Sequence, residues 1–261
     1  MRKFVFITIS IIVLALAGFF INIPKIFAIP ETLIAFEPNG LAGNEATFNA
    51  TINNANLNAS VLSRGAGITP SVLANAFSAS HFINNGTKAS AISNNEYYQV
   101  AISAKANYKV SLSSIDFNFR RSSKGPNAYQ WQYSLDEFAT AGIDAGAEGS
   151  YTGIDDNGLA MPQIDLSSIP DLQNVTSGTA IIFRMYAWNA SATSGTSAIG
   201  RLAGDDLVFK GNVNLVTRTL TYVAGALGSI TGISPQTVNH GSDGTEVTAV
   251  PDTNYHFVNW S

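Results

Sequence analysis

Ile115-Asp116-Phe117-Asn118-Phe119-Arg120, the end of a longer stretch that starts at Tyr108, alternates large apolar with polar side chains at every position. Side chains on an extended strand have a period of two, so Ile115, Phe117 and Phe119 share a face that belongs in a core. Asp116, Asn118 and Arg120 share the opposite face. Downstream, Tyr129, Trp131 and Tyr133 stand opposite Gln130 and Gln132 and are assigned to the core. Further on, Ile181, Phe183, Met185 and Ala187 form the more apolar face of a strand, which leaves Arg184, Tyr186 and Trp188 together on the other. Runs of this kind, at residues 32–36, 45–49, 97–103, 108–120, 129–134, 179–188 and 206–213, are separated by clusters of Gly, Asn, Pro and Ser. Strands joined by turns are the expectation, and no long amphipathic helix is evident. Their number and spacing predict an all-β protein, an antiparallel β-sandwich of two packed sheets.

The amino terminus is of another kind. Met1-Arg2-Lys3 precedes an uncharged run from Phe4 to Ile23, and Pro24-Lys25-Ile26-Phe27-Ala28 follows. A basic start, an apolar stretch and a small residue at a cleavage point describe a secretion signal with a hydrophobic signal helix over residues 1–28. A retained membrane anchor is the competing reading, because about 20 apolar residues can span a bilayer. Gly18 within the run and the helix-breaking Pro24 favour cleavage. In either case the remainder lies outside the cytoplasm, extracellular or at the cell surface, and a membrane enters only through an uncleaved leader.

Cysteine is absent from the 261 residues, so disulfides, thiolate metal sites and cysteine nucleophiles are excluded. Only 12 % of the residues are charged, and the net charge is −4. Loss of the leader removes three of the 14 basic residues and none of the 18 acidic ones. No basic stripe remains to neutralise phosphates, which argues against a nucleic-acid partner. After Val213 the composition shifts, Asn214-Leu215-Val216 reads as a connector, and a unit rich in Gly, Thr and Val follows. The expected organisation is a leader over 1–28, a sandwich over 29–215 and a small β unit over 216–261.

The last unit contains Leu220-Thr221-Tyr222, Ala224-Gly225-Ala226-Leu227-Gly228-Ser229-Ile230, Ser234-Pro235-Gln236-Thr237-Val238, His240-Gly241-Ser242, Val247-Thr248-Ala249-Val250-Pro251 and Tyr255-His256-Phe257-Val258-Asn259-Trp260-Ser261. These fragments, in this order, resemble the divergent internalin-type B-repeat of bacterial surface and secreted proteins. The resemblance implies that the unit is incomplete at Ser261 and that the chain is a fragment of a longer protein, with an unpaired strand edge. The larger region resembles jelly-roll carbohydrate-binding modules through Ile34-Ala35-Phe36-Glu37, Tyr97-Tyr98, Ser134-Leu135-Asp136-Glu137-Phe138, Phe183-Arg184-Met185-Tyr186 and Asp205-Asp206-Leu207-Val208-Phe209-Lys210-Gly211. The sandwich is therefore expected to be jelly-roll-like.

Catalytic signatures are missing. There is no Gly-x-Ser-x-Gly; of the three histidines, His240 and His256 fall inside the last unit, where a turn or strand role is expected, and His81 has no recognisable partner. The doublets Asp136-Glu137, Asp155-Asp156 and Asp205-Asp206 do not supply a glycosidase pair, because neighbours on a strand point to opposite faces. Asp155-Asp156-Asn157-Gly158 reads as a turn. The resemblance to jelly-roll modules implies that the first and last strands lie side by side, where Glu37 with Asp205 or Asp206 is a candidate structural calcium site; solvated edge charges are the alternative. No cofactor is required.

Sugar recognition uses aromatic faces together with polar side chains that bond hydroxyls. Arg184, Tyr186 and Trp188, joined by Asp116, Asn118, Arg120, Gln130 and Gln132 if their strands are neighbours, form the candidate surface. The competing expectation is that Tyr186 and Trp188 pack beneath a loop. The functional expectation is a non-catalytic secreted or cell-surface binding and adhesion protein, whose sandwich binds a glycan or a cell-surface protein and whose repeats act as a spacer. The alternative is the accessory region of a longer secreted glycan-degrading enzyme.

Overall fold

The computed structural model describes residues 29–151, 153 and 157–260, so the leader, Asp155 and Asp156 lie outside the described residues. In chain order the first elements are β1 (Glu31–Phe36), β2 (Phe48–Asn49), β3 (Ile52–Asn53), β4 (Val61–Arg64), β5 (Thr69–Pro70), β6 (Ala76–Ser80), the short helix α1 (Lys88–Ser93), β7 (Tyr97–Ile102) and β8 (Tyr108–Arg121). Next come β9 (Ala128–Ser134), β10 (Ile143–Ser150), β11 (Leu159–Ala160), β12 (Ile164–Asp165), β13 (Val175–Thr176), β14 (Ile181–Trp188), β15 (Ser197–Gly200) and β16 (Leu207–Leu215). The last four are β17 (Thr217–Leu220), β18 (Gly228–Gly232), β19 (Gln236–Asn239) and β20 (Val247–Pro251). The protein is all-β, as its alternation pattern requires.

Two antiparallel sheets carry residues 29–215. One follows the path β3-β1-β16-β8-β15-β6-β5, with β11, β12 and β13 also pairing along β8; the other runs β10-β9-β14-β7-β4-β2. Between them Ile115, Phe117 and Phe119 of β8 meet Tyr129, Trp131 and Tyr133 of β9 and Ile181, Phe183 and Met185 of β14, all in one buried cluster. The ring of Phe117 stands edge-on to Tyr129 and Trp131, with centroids 5.3 and 5.5 Å away. Each such pair adds about 0.5–1.5 kcal/mol beyond the area it buries. The first and last strands of the sandwich are neighbours, since Glu31 pairs with Gly211 and Phe36 with Leu207. Gly211 sits at an irregularity in the β16–β8 register, where an added Cβ would run into the backbone carbonyl of Ser111.

The expected run at 45–49 shrinks to Phe48–Asn49. The reason is local: the Glu45 carboxylate accepts hydrogen bonds from the backbone N–H groups of Ala42 and Gly43, at 2.7 and 3.0 Å, and so closes a turn. β6 and β15, which alternation alone does not reveal, pair with each other, and β15 also pairs with β8.

Residues 217–251 form two ribbons, β17 with β19 and β18 with β20. Val216 joins them to the sandwich: its N–H donates to the Asn107 carbonyl, and its own carbonyl accepts from His240 N–H, each at 2.8 Å.

Candidate functional site

The outer face of the β10-β9-β14-β7-β4 sheet carries a row of polar side chains in direct register. Ser63 pairs with Gln99, Gln99 with Arg184, Arg184 with Gln132, and Gln132 with Asp144. Five adjacent strands at about 4.8 Å spacing make this row about 19 Å long. The same registers place a less polar row on one side, containing Ala101 and Ile182, and an aromatic row on the other, Tyr97 and Tyr186 with Gln130.

Arg184 occupies the middle of the polar row. Its Nε donates to Gln99 Oε1 at 2.8 Å, and Nη1 reaches the Tyr186 hydroxyl at 3.5 Å. Its guanidinium lies over the Tyr97 ring, 4.2 Å from the centroid, and over the Phe138 ring at 3.9 Å. Cation–π contacts of this kind are worth about 0.5–1 kcal/mol at exposed sites and more when desolvated.

The loop between β9 and β10 delivers Phe138. Glu137 and Phe138 both adopt left-handed backbone angles, φ 60° and 62°, which side chains with a Cβ avoid. A hydroxyl and a carboxylate hold them there. Ser134 Oγ accepts from the N–H groups of Asp136 and Phe138 and donates to Asp136 Oδ1, while Asp136 Oδ2 accepts from the backbone and hydroxyl of Thr140. Those bonds from Ser134 and Thr140 keep the Asp136 carboxyl below its ordinary pKa. Gly142 completes the arrangement, because a Cβ there would collide with the Phe138 ring and lie 2.9 Å from Gln132 Oε1.

Helix α1 bounds the face on its aromatic side. Thr87 and Ser90 form a capping box at its start, and Ala91 packs on Tyr186 and Trp188, with Tyr97 and Ala128 alongside. Lys88 reaches across to Asp144 at 2.7 and 2.8 Å, and Asp144 also accepts from Gln132 at 2.7 Å. Burial works against the Asp144 charge, yet the bonds from Lys88 and Gln132 hold its carboxyl below the usual range.

The structure divides the expected surface in two. β8 pairs with β16, β15, β11, β12 and β13 and belongs to the other sheet, so Asp116, Asn118 and Arg120 face away from Arg184 on the opposite side of the sandwich. There Asp116 accepts from Gln163 and pairs with Lys210 at 2.9 Å, Asn118 donates to Asp206, and Arg120 donates to Thr196. Tyr186 and Trp188, 2 % and 6 % exposed, pack under α1 and do not offer a free stacking surface. Gln130 is buried and bonded to backbone carbonyls, whereas Gln132 joins the row. Gln99, Lys88 and Asp144 belong to the face although their positions carry no sequence signal, and Tyr97 and Phe138 stand in fragments that carry the jelly-roll resemblance without marking them as site residues; the Ser-x-Asp spacing at Ser134 and Asp136 marks the loop as a built turn.

Of the acids at the sandwich edge, Glu37 is half-buried, Asp205 exposed and Asp206 1 % exposed. Asp206 Oδ1 accepts from Asn118 at 2.8 Å and from Leu202 N–H at 3.2 Å, while Oδ2 is buried without a partner. Burial first, and then the charges of Glu37 and Asp205, push its pKa up to about 6 against the bonds from Asn118 and Leu202. Among the described residues no three His, Cys, Asp or Glu gather closely enough to hold a metal ion.

The described residues thus form two antiparallel sheets with a polar row on an outer face, followed by two short ribbons. Residues 218–261 match the family model described as the divergent InlB B-repeat domain, so the carboxy-terminal part resembles that repeat, as its ordered fragments led one to expect. No curated protein matches the chain. Among solved structures the chain is similar to a non-crystalline cellulose specific carbohydrate-binding module, CBM28, with a TM-score of 0.36 and 10 % identity over 70 % of this chain and 98 % of that one.

Proposed function

We propose that the chain is a non-catalytic, exported binding protein whose sandwich takes a glycan on the Ser63-Gln99-Arg184-Gln132-Asp144 face. The observation that carries this reading is the row itself. It combines donors and acceptors with the neighbouring Tyr97 and Phe138 rings and a less polar strip beside them, which suits a ligand with polar edges and apolar C–H faces. The leader composition supports export and display at a bacterial surface, with the unit after Val216 as a spacer. A role as the accessory module of a larger glycan-degrading enzyme uses the same face and differs only in what else the gene encodes.

Affinity electrophoresis of the exported chain through gels containing soluble polysaccharides tests the reading. Retardation that is lost in Phe138→Ala supports it. Migration unaffected by every polysaccharide overturns it.

A subsidiary cation site at Glu37 with Asp205 or Asp206 is proposed from one feature, the unpartnered buried Asp206 Oδ2 within the field of the Glu37 and Asp205 charges. Because no three acids converge, carbonyl or water oxygens would complete a calcium shell there. A melting temperature raised by calcium and restored by a chelator supports the site; identical melts remove it.

A further inference from the structure

We infer that the glycan bound by this face is acidic, and that Arg184 recognises the carboxylate of a uronic-acid unit. The inference rests on the glycan-binding reading above and adds the charge of the ligand. Arg184 is a cation whose partners are all neutral: Gln99 at Nε, the Tyr186 hydroxyl at Nη1, and the Tyr97 and Phe138 rings beneath its Cζ. Among the described residues no carboxylate forms an ion pair with it, whereas Asp144 is matched by Lys88, and Asp116 on the other sheet by Lys210. On the loop beside it, Asp136 is occupied by Ser134 and Thr140, and Glu137 is exposed and makes no ion pair with Arg184. An uncompensated positive charge thus sits in the centre of the row, on a chain of net charge −4.

Geometry narrows the anion. The Tyr97 and Phe138 rings crowd the guanidinium carbon, 4.2 and 3.9 Å from their centroids, and the N–H donors of the guanidinium point outward in its own plane, which is the direction from which an anion binds it. Nε is bonded to Gln99 and Nη1 lies 3.5 Å from the Tyr186 hydroxyl, while Nη2 has no hydrogen-bond partner among the described residues and is not buried, so that end of the fork is open to solvent. A planar carboxylate accepts two parallel N–H bonds from such a fork, with each charge balancing the other. A neutral sugar hydroxyl makes one bond and leaves the charge unmatched. Gln99 and Gln132, flanking Arg184 in register, supply amide groups for hydroxyls of the same or the next sugar ring.

The test compares the exported full chain on polygalacturonate, on the same polymer with its carboxyl groups reduced to alcohols, on neutral glucomannan and on dextran sulfate, by affinity electrophoresis and calorimetry. A charge-assisted hydrogen bond of ordinary strength predicts binding to polygalacturonate about tenfold or more tighter than to its reduced form. Arg184→Gln removes that preference, and Arg184→Lys, which keeps the charge without the fork, recovers only part of it. Equal binding to polygalacturonate and its reduced form, abolished by Phe138→Ala, overturns the acidic ligand while leaving the glycan site standing. Binding to dextran sulfate as tight as to polygalacturonate overturns carboxylate recognition in favour of a generic polyanion effect. Failure to bind any of the four polymers overturns both readings. The comparison of intact with reduced polymer uses the unaltered protein, so it decides the question even if Arg184→Gln does not fold.

Discussion

Replacing Asp206 with asparagine is expected to stabilise the protein at neutral pH. The side chain is 1 % exposed, its Oδ2 has no partner, and its pKa is raised from 3.8 to about 6, chiefly by burial and then by Glu37 and Asp205. A carboxyl whose folded pKa lies above its unfolded one binds more protons when folded, so its effect is most favourable below the unfolded value and is lost as pH rises through the folded one. About two units at 1.36 kcal/mol each set a ceiling of about 3 kcal/mol for the penalty at pH 7. Asparagine keeps an oxygen for Asn118 and Leu202 but leaves an amide N–H where Oδ2 was, a loss of about 1 kcal/mol or more. The net expectation is a gain of about 1–2 kcal/mol at pH 7, a rise of about 2–8 °C in melting temperature for a domain of this size. At pH 4 the gain vanishes. Calorimetric melts of both proteins from pH 4 to pH 8, with a chelator present, measure it. Taking the difference between them cancels the contribution of Glu96, whose pKa burial also raises. A variant less stable than the parent by the same amount at every pH refutes the argument, because the carboxylate charge would then impose no penalty.

Other outcomes follow from the same geometry. Trp188→Ala, which empties the space beneath α1 beside Ala91 and Tyr186, is expected to lose about 3 kcal/mol of stability by urea unfolding while leaving the Phe138 loop in place. Gly142→Ala displaces the Phe138 ring from Arg184, so glycan retardation weakens while the far-ultraviolet circular dichroism spectrum stays unchanged. Lys88→Met breaks an ion pair whose partners are 29 % and 47 % exposed, and thermal melts are expected to shift by no more than about 1 kcal/mol equivalent.

The core was legible in the sequence because burial on one face of a strand writes itself as alternation. Ile115, Phe117, Phe119, Tyr129, Trp131 and Tyr133 all lie where their spacing put them. Sheet membership was not legible. β8 and β14 show the same alternation, yet their outward side chains face opposite sides of the sandwich, because partner choice depends on contacts distant in the chain. Arg184 was visible as an outward residue, but its surroundings come from Gln99, Phe138 and Gln132, which are brought together only by strand register and by a loop in left-handed backbone. Trp188 was outward in the same sense and is nevertheless covered, since α1 is a six-residue helix capped by Thr87 and Ser90 that hydrophobic periodicity is too short to announce. β6 and β15, rich in Ala, Ser and Gly, are strands because a neighbouring edge recruits them rather than because of their own propensity.

The antiparallel pairing of β1 with β16 has a mechanical consequence. Glu31 lies opposite Gly211, so the beginning of the sandwich and its exit at Leu215 are found at the same end of adjacent strands. Tension drawn through the chain between these two points pulls the strands apart from that end and loads the rungs one after another, instead of shearing all of them at once. Peeling of this kind breaks one rung at a time, so the β1–β16 pair resists such a load less than it would resist shear.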